Sequence, residues 1–202
     1  MVSIVTICNL ALGHLGADKI DALSEASSEA RACNRFYAQT LGALLSAGPP
    51  WRFARHEVTL AEVDGGASIG WAYAYTLPAD LLRVRSISAP ASGHAIYGSA
   101  QQPDERNQPY ELSSDRLYCN ISPASLRYIR RIDDPSKFPP LFVEALSWHL
   151  AARLAMPLTR DAGQRQAAFQ MALQTQAVAA AADANDEART SAFISEYERV
   201  RE

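Results

Sequence analysis

Apolar side chains in the first fifty residues recur at helical spacing. Ile4, Ile7, Cys8, Ala11, Leu12 and Leu15 advance in steps of three and four, which predicts a helix with one buried stripe. Ser3 ahead of the stripe suits an N-cap, and Gly16 behind it suits a stop. A polar connector from Asp18 to Ser28 leads to a second helix, capped by Ser27 or Ser28 and carrying Glu29 in its first turn. Ala30, Cys33, Tyr37, Leu41 and Leu44 mark its inner face, widened by Phe36 and Leu45, and Gly48-Pro49-Pro50 ends it.

From Trp51 the period shortens to two. Val58 and Leu60 alternate with polar residues, and Gly65-Gly66 turns the chain. Leu82 and Val84 alternate with Arg83 and Arg85, and the pattern repeats at Leu117, Cys119 and Ile121 and again at Leu126, Tyr128, Arg130 and Ile132. With a polar loop over 99–109, this predicts a small antiparallel sheet or barrel. Helical character returns after Asp133-Asp134-Pro135. Pro139 and Pro140 suit a first turn, and 141–156 is apolar nearly all round, with Trp148 its largest member and expected core anchor and Pro157 its expected break. Thr159 can cap a further helix that runs through Phe169, Ala172, Leu173 and Ala177 into an alanine-rich stretch at 179–184, whose small side chains bury little area. A final amphipathic piece, Glu187 to Glu202, presents Phe193, Ile194, Tyr197 and Val200 on one side.

The predicted fold class is therefore α+β and mainly helical. A helical bundle is expected from 1–50 and 134–185, a β-rich insertion from 51–133 and a C-terminal amphipathic extension from 186–202. The 202 residues, 48% hydrophobic and 20% charged, fit one folded domain. A net charge of −3 removes the basic excess that would clamp nucleic acid or an anionic membrane. No apolar run approaches the ~18 residues of a membrane span. Cys8, Cys33 and Cys119 are far apart in sequence, form no Cys-x-x-Cys pair and follow no signal peptide, so they are expected as reduced thiols of a cytosolic protein.

Candidate chemistry is sparse. His14, His56, His94 and His149 have no metal-site spacing, and His149 inside an apolar helix reads as a hydrogen-bonded structural histidine. No phosphate loop, dinucleotide fingerprint or nucleophile elbow occurs, so no catalytic, metal or cofactor residue is expected. Asp133-Asp134 could be paired carboxylates, but residues ahead of a helix more often cap it, and Glu25 and Glu29 fit the start of the second helix. Arg83, Arg85, Arg127, Arg130 and Arg131 suit solvated strand faces or inter-subunit ion pairs better than DNA, and Arg31 and Arg35 after a long connector make a poor helix-turn-helix. The terminal stripe is either a helix folded back on the core or a ligand for a partner's groove.

One resemblance runs through most of the chain. Ile7-Cys8-Asn9-Leu10-Ala11-Leu12, His14-Leu15-Gly16 and Ser28-Glu29-Ala30-Arg31-Ala32-Cys33 resemble the head-to-tail adaptor proteins of tailed bacteriophages, more specifically the tail tubular protein A group of short-tailed phages. The likeness continues through Pro50-Trp51-Arg52-Phe53-Ala54, the run from Tyr75 to Val84, Phe142-Val143-Glu144-Ala145-Leu146 and the run from Ala151 to Thr159. It implies a structural, non-enzymatic subunit of a dodecameric ring beneath the portal of the virion, made in the host cytoplasm. Its implied partners are the portal protein above, a nozzle or next tail protein below and double-stranded DNA sliding through the lumen without specific binding. Portal docking would fall to the C-terminal stripe Phe193, Ile194, Tyr197 and Val200. The alternatives are a tail-associated cell-wall hydrolase, marked by facing carboxylates, or a small DNA-binding regulator, marked by steeply salt-dependent duplex binding.

Overall fold

The computed structural model describes residues 2–66, 68–89 and 108–185. Among them the fold is mixed α+β, with four α-helices and two small antiparallel sheets. Helix α1 spans Ile4–His14 and α2 Ser28–Ala47. Six strands follow: β1 Arg55–Thr59, β2 Tyr73–Thr76, β3 Leu81–Ser88, β4 Tyr110–Ser113, β5 Arg116–Cys119 and β6 Ser125–Arg130. Helices α3 Pro140–Thr159 and α4 Ala162–Asn185 complete the order, and single 3-10 turns lie at Arg52–Ala54 and Pro135–Lys137.

The caps show why the first two helices begin and end where they do. Ser3 Oγ accepts from the Thr6 amide at 3.1 Å. At the other end Ala17 N–H donates to Leu12 O and Gly16 N–H to Gly13 O. That paired closure places Gly16 at φ +67, where a side chain would be strained. Of the two serines ahead of α2, Ser27 is the cap, accepting from the Ala30 amide at 3.2 Å.

The third helix departs from expectation. It runs through Pro157 and stops at Thr159, with Arg160 left-handed at φ +55. Proline breaks a helix by removing an amide donor and crowding the preceding turn. Here it falls in the last turn, and both Arg153, whose carbonyl loses its partner, and Pro157 are exposed to water. Thr159 does not cap α4. Its hydroxyl donates back to Ala155 O, and Asp161 Oδ1 instead accepts from the Gly163 and Gln164 amides at 2.7 and 3.2 Å.

Helix α3 is the hub. It packs against α1, α2 and most extensively α4, whereas α1 and α2 hardly touch. The inner face of α4 is Ala168, Ala172 and Ala179, while Phe169, Leu173 and Ala177 are exposed. Small side chains let the two helix axes approach closely, and a phenyl ring has no room in that seam. Trp148 is likewise only half-buried. Its ring stacks on His14 with centroids 3.6 Å apart, and its Nε1 donates to Glu144 Oε1 at 2.9 Å. The fully buried tryptophan is Trp51, which donates Nε1–H to Leu44 O near the end of α2 and packs edge-on to Phe142 at 5.0 Å. Phe53 and Phe138 complete that aromatic cluster.

The sheets have strand orders β1-β6-β3 and β2-β5-β4. Strands β2 and β4 escape the alternation test. β2 buries Ala74 and Tyr75 in succession, and β4 is four residues long and mostly exposed. Two register shifts break the alternation of β3. Leu60, Ile121 and Ile132 lie just beyond their strands. Two apolar cores result. One gathers the helices with Trp51, Ala54, Ile129, Ile132 and Phe138; the other gathers Leu60, Tyr75, Ile87, Leu117, Cys119, Leu126 and Tyr128. Strand β6 belongs to both, since Leu126 and Tyr128 enter the strand core while Ile129 enters the helical one.

Candidate functional site

Where α2, α3 and α4 converge, the surface is indented by an open groove of about 810 Å³. Phe36, Met156 and Phe169 supply apolar walls, while His149, Arg153 and Arg165 supply polar ones. The arrangement follows from the helix pattern: α4 sits close on α3 through alanine, so Phe169 is displaced sideways to the rim. His149 Nε2 and Gln176 Oε1 are 2.7 Å apart, tying α3 to α4. Burial lowers the His149 pKa below its usual 6.5, opposed by the Gln176 bond and aided by the nearby Arg153 charge. A neutral imidazole donating to an amide oxygen is a structural role, and the lining residues include no carboxylate or thiol. The groove is suited to holding an apolar side chain beside a negative group.

The other sequence candidates are placed apart from one another. His14 Nε2 and Ser147 Oγ are 3.0 Å apart, and burial lowers the histidine pKa although Glu144 opposes it. His56 meets the edge of the Tyr128 ring. Asp134 caps the Pro135–Lys137 turn through the Ser136 amide and hydroxyl, which hold its carboxyl below the usual range. Asp133 instead accepts from Arg131 Nε at 2.9 Å. Glu25 does not open α2: its carboxylate accepts from the Ala22 and Asp21 amides and closes the connector, and both bonds lower its pKa. Arg127 pairs with Glu57 directly opposite it on β1, and Arg83 donates to Gly48 O. Both guanidiniums thus have a partner within their own chain. His94 and the stripe Phe193, Ile194, Tyr197 and Val200 lie outside the described residues.

No family model and no curated protein matches this chain. Among the described residues no group of three or more His, Cys, Asp or Glu side chains is placed to hold a metal ion, and no helix is long and apolar enough to cross a membrane.

Sequence reasoning missed two juxtapositions. Cys8 and Cys33, remote in sequence, meet between α1 and α2, where thiol contact and burial push the Cys8 pKa up and keep it neutral. The His14–Trp148–Ser147 cluster joins residues more than a hundred positions apart. Neither leaves a local signature, because each partner satisfies the helical pattern of its own segment.

Proposed function

We propose that the chain is a structural head-to-tail adaptor subunit, one member of a ring between the portal and the tail nozzle of a phage virion, enclosing the channel through which DNA passes. In this reading residues 1–50 and 134–185 form a discontinuous helical bundle, and 51–133 is a strand-rich insertion. The observation that carries it is that helices from both ends of the sequence pack on α3, with all six strands lying between them in the chain. That is the arrangement implied by the adaptor-like runs, which occur in the adaptor order. A net charge of −3 also suits a lumen that must let DNA slide rather than hold it.

Docking on the portal falls to the stripe Phe193, Ile194, Tyr197 and Val200. Symmetric reconstruction of the portal vertex tests the assignment: a ring of copies is expected there, and a single copy or none overturns it. Deleting residues 187–202 should leave the melting temperature nearly unchanged while abolishing attachment to portal-bearing heads. Attachment retained by the truncated chain would remove the docking role from this segment.

A further inference from the structure

The groove between α2, α3 and α4 is lined by cations without counter-charges. Arg153 and Arg165 line it from α3 and α4, both exposed, and neither has a carboxylate partner among the described residues. Arg35 brings a third guanidinium beside a wall residue, its Cζ 5.6 Å from the centroid of the Phe36 ring. Asp161, the carboxylate next to Ala162 in the chain, is engaged by the Gly163 and Gln164 amides at the start of α4. Apolar surface shares the groove, with Met156 and Phe169 41% and 45% exposed. A ligand that matches these walls carries a large apolar side chain with carboxylates close by and no cation among them. The chain's own sequence contains such a ligand. Phe193-Ile194-Ser195-Glu196-Tyr197-Glu198 has three large apolar side chains, two carboxylates and no Lys or Arg.

We propose that this groove is the resting site of the Phe193–Glu198 segment of the same chain, from which the portal displaces it. The inference rests on the portal-docking role given to that stripe and says where the stripe lies before a portal is met. Chain length permits it. From Asn185, the last residue of α4, back to Phe169 at the groove is about 24 Å along the helix axis. From Asn185 onward to Phe193 the backbone spans at most about 26–29 Å when extended. The connection is thus long enough to return along α4 and bring Phe193 to its own groove. There Phe193 covers Met156 and Phe169, while Glu196 and Glu198 meet Arg153 and Arg165. A tether this short supplies an effective concentration in the millimolar range, so a contact of weak intrinsic affinity stays occupied. Exposed ion pairs each add little, which keeps the segment releasable. The same weakness agrees with the small change in melting temperature expected on truncation. While held, the apolar stripe is kept from unspecific association with other copies.

A nitroxide attached to full-length Ser195→Cys tests this in the free protein, because Cys8, Cys33 and Cys119 are buried and only position 195 takes the label. The Met156 methyl resonance should lose most of its intensity relative to the reduced, diamagnetic label. Arg153→Glu with Arg165→Glu should restore it, and adding Glu196→Arg with Glu198→Arg should remove it again, since the charges are then exchanged. When nitroxide and isotope are carried by different copies, the effect should vanish. A Met156 signal untouched by the label would overturn the proposal. So would attenuation that only a labelled neighbouring copy produces, or attenuation indifferent to charge reversal. If Met156 is untouched while truncation at 187 still abolishes attachment to portal-bearing heads, the stripe docks on the portal and has no resting site in the groove. If Met156 is attenuated while the truncated chain still attaches, the resting site stands and the portal role falls.

Discussion

The helical core sets buried alanines among large apolar side chains, whereas the strand core is filled by tyrosines and branched aliphatics. Ala11, Ala30, Ala145, Ala151, Ala155 and Ala172 are fully buried among the helices, and their small size sets how near the helices lie. In the strand core Tyr75 and Tyr128 fill the space and bring hydroxyls that need partners. Tyr75 Oη donates to Ile121 O at 2.6 Å, and Tyr128 Oη donates to Asp80 Oδ1 at 2.9 Å. Burial, then the Asp80 bond, pushes the Tyr128 pKa up to about 12. In the helical core Tyr37 Oη is buried with no such bond, and burial raises its pKa too. Both regions carry polar ties, Trp51 to Leu44 O and His149 to Gln176 among the helices and the two tyrosine hydroxyls among the strands.

The largest expected effect is at the aromatic cluster that closes the helical core. Trp51→Ala should lower the free energy of unfolding by about 3–5 kcal/mol, since it opens a cavity and removes the indole donor from Leu44 O, which keeps only the Gly48 amide. Denaturant midpoints measure it, and a loss below about 1 kcal/mol would mean that the helices close without this residue. Trp148→Ala should cost less, about 1–2 kcal/mol, because its half-exposed ring loses mainly the His14 stack and its share of apolar contact. Equal losses at the two tryptophans would erase the distinction between core and rim.

The tyrosines sharpen the comparison. Tyr75→Phe should cost about 1 kcal/mol by leaving Ile121 O with only the weak Cys119 thiol donor, while Tyr37→Phe should be neutral or stabilising because its hydroxyl is already unpaired. The reverse order in thermal melts would show that the stabilising tyrosine hydroxyl belongs to the helices.

The smallest effect is expected with pH. His14 and His149 titrate below their ordinary 6.5, so in acid the unfolded chain binds protons that the folded chain refuses. Stability should fall as pH drops from about 6.5 through the lowered values and be flat just above. His149→Gln should flatten that slope, and an unchanged slope would assign the acid sensitivity elsewhere.

The sequence-to-structure outcome follows from how local each signal is. Caps such as Ser3 and Ser27 and the stop at Gly48 are legible because they act within one turn. The inner face of α4 is not. Phe169, Ala172, Leu173 and Ala177 follow one another along that helix without saying which face is buried, because the spacing between two helices is a tertiary property, and in the seam it admits only alanine. Trp148 misleads for a related reason: in a helix apolar on all sides, the stripe cannot say which side meets water. Strand β2 hides because it is covered on both faces, so alternation never develops. At the groove, His149 has the hydrogen bond expected of it, to Gln176, but Arg153, Arg165 and Phe36 gain meaning only once three helices converge.

The dependence of α1 and α2 on α3 has a consequence for synthesis. Helix α2 ends at Ala47 and its main partner begins at Pro140. At about 5–20 residues per second, a ribosome needs on the order of ten seconds to cross that interval. Helices of 11 and 20 residues that scarcely touch each other gain little stability alone. Throughout that delay the stripes bearing Ile7, Leu12, Leu41 and Leu45 wait for their main partner helix in the nascent chain, which is when a holdase chaperone has most to grip.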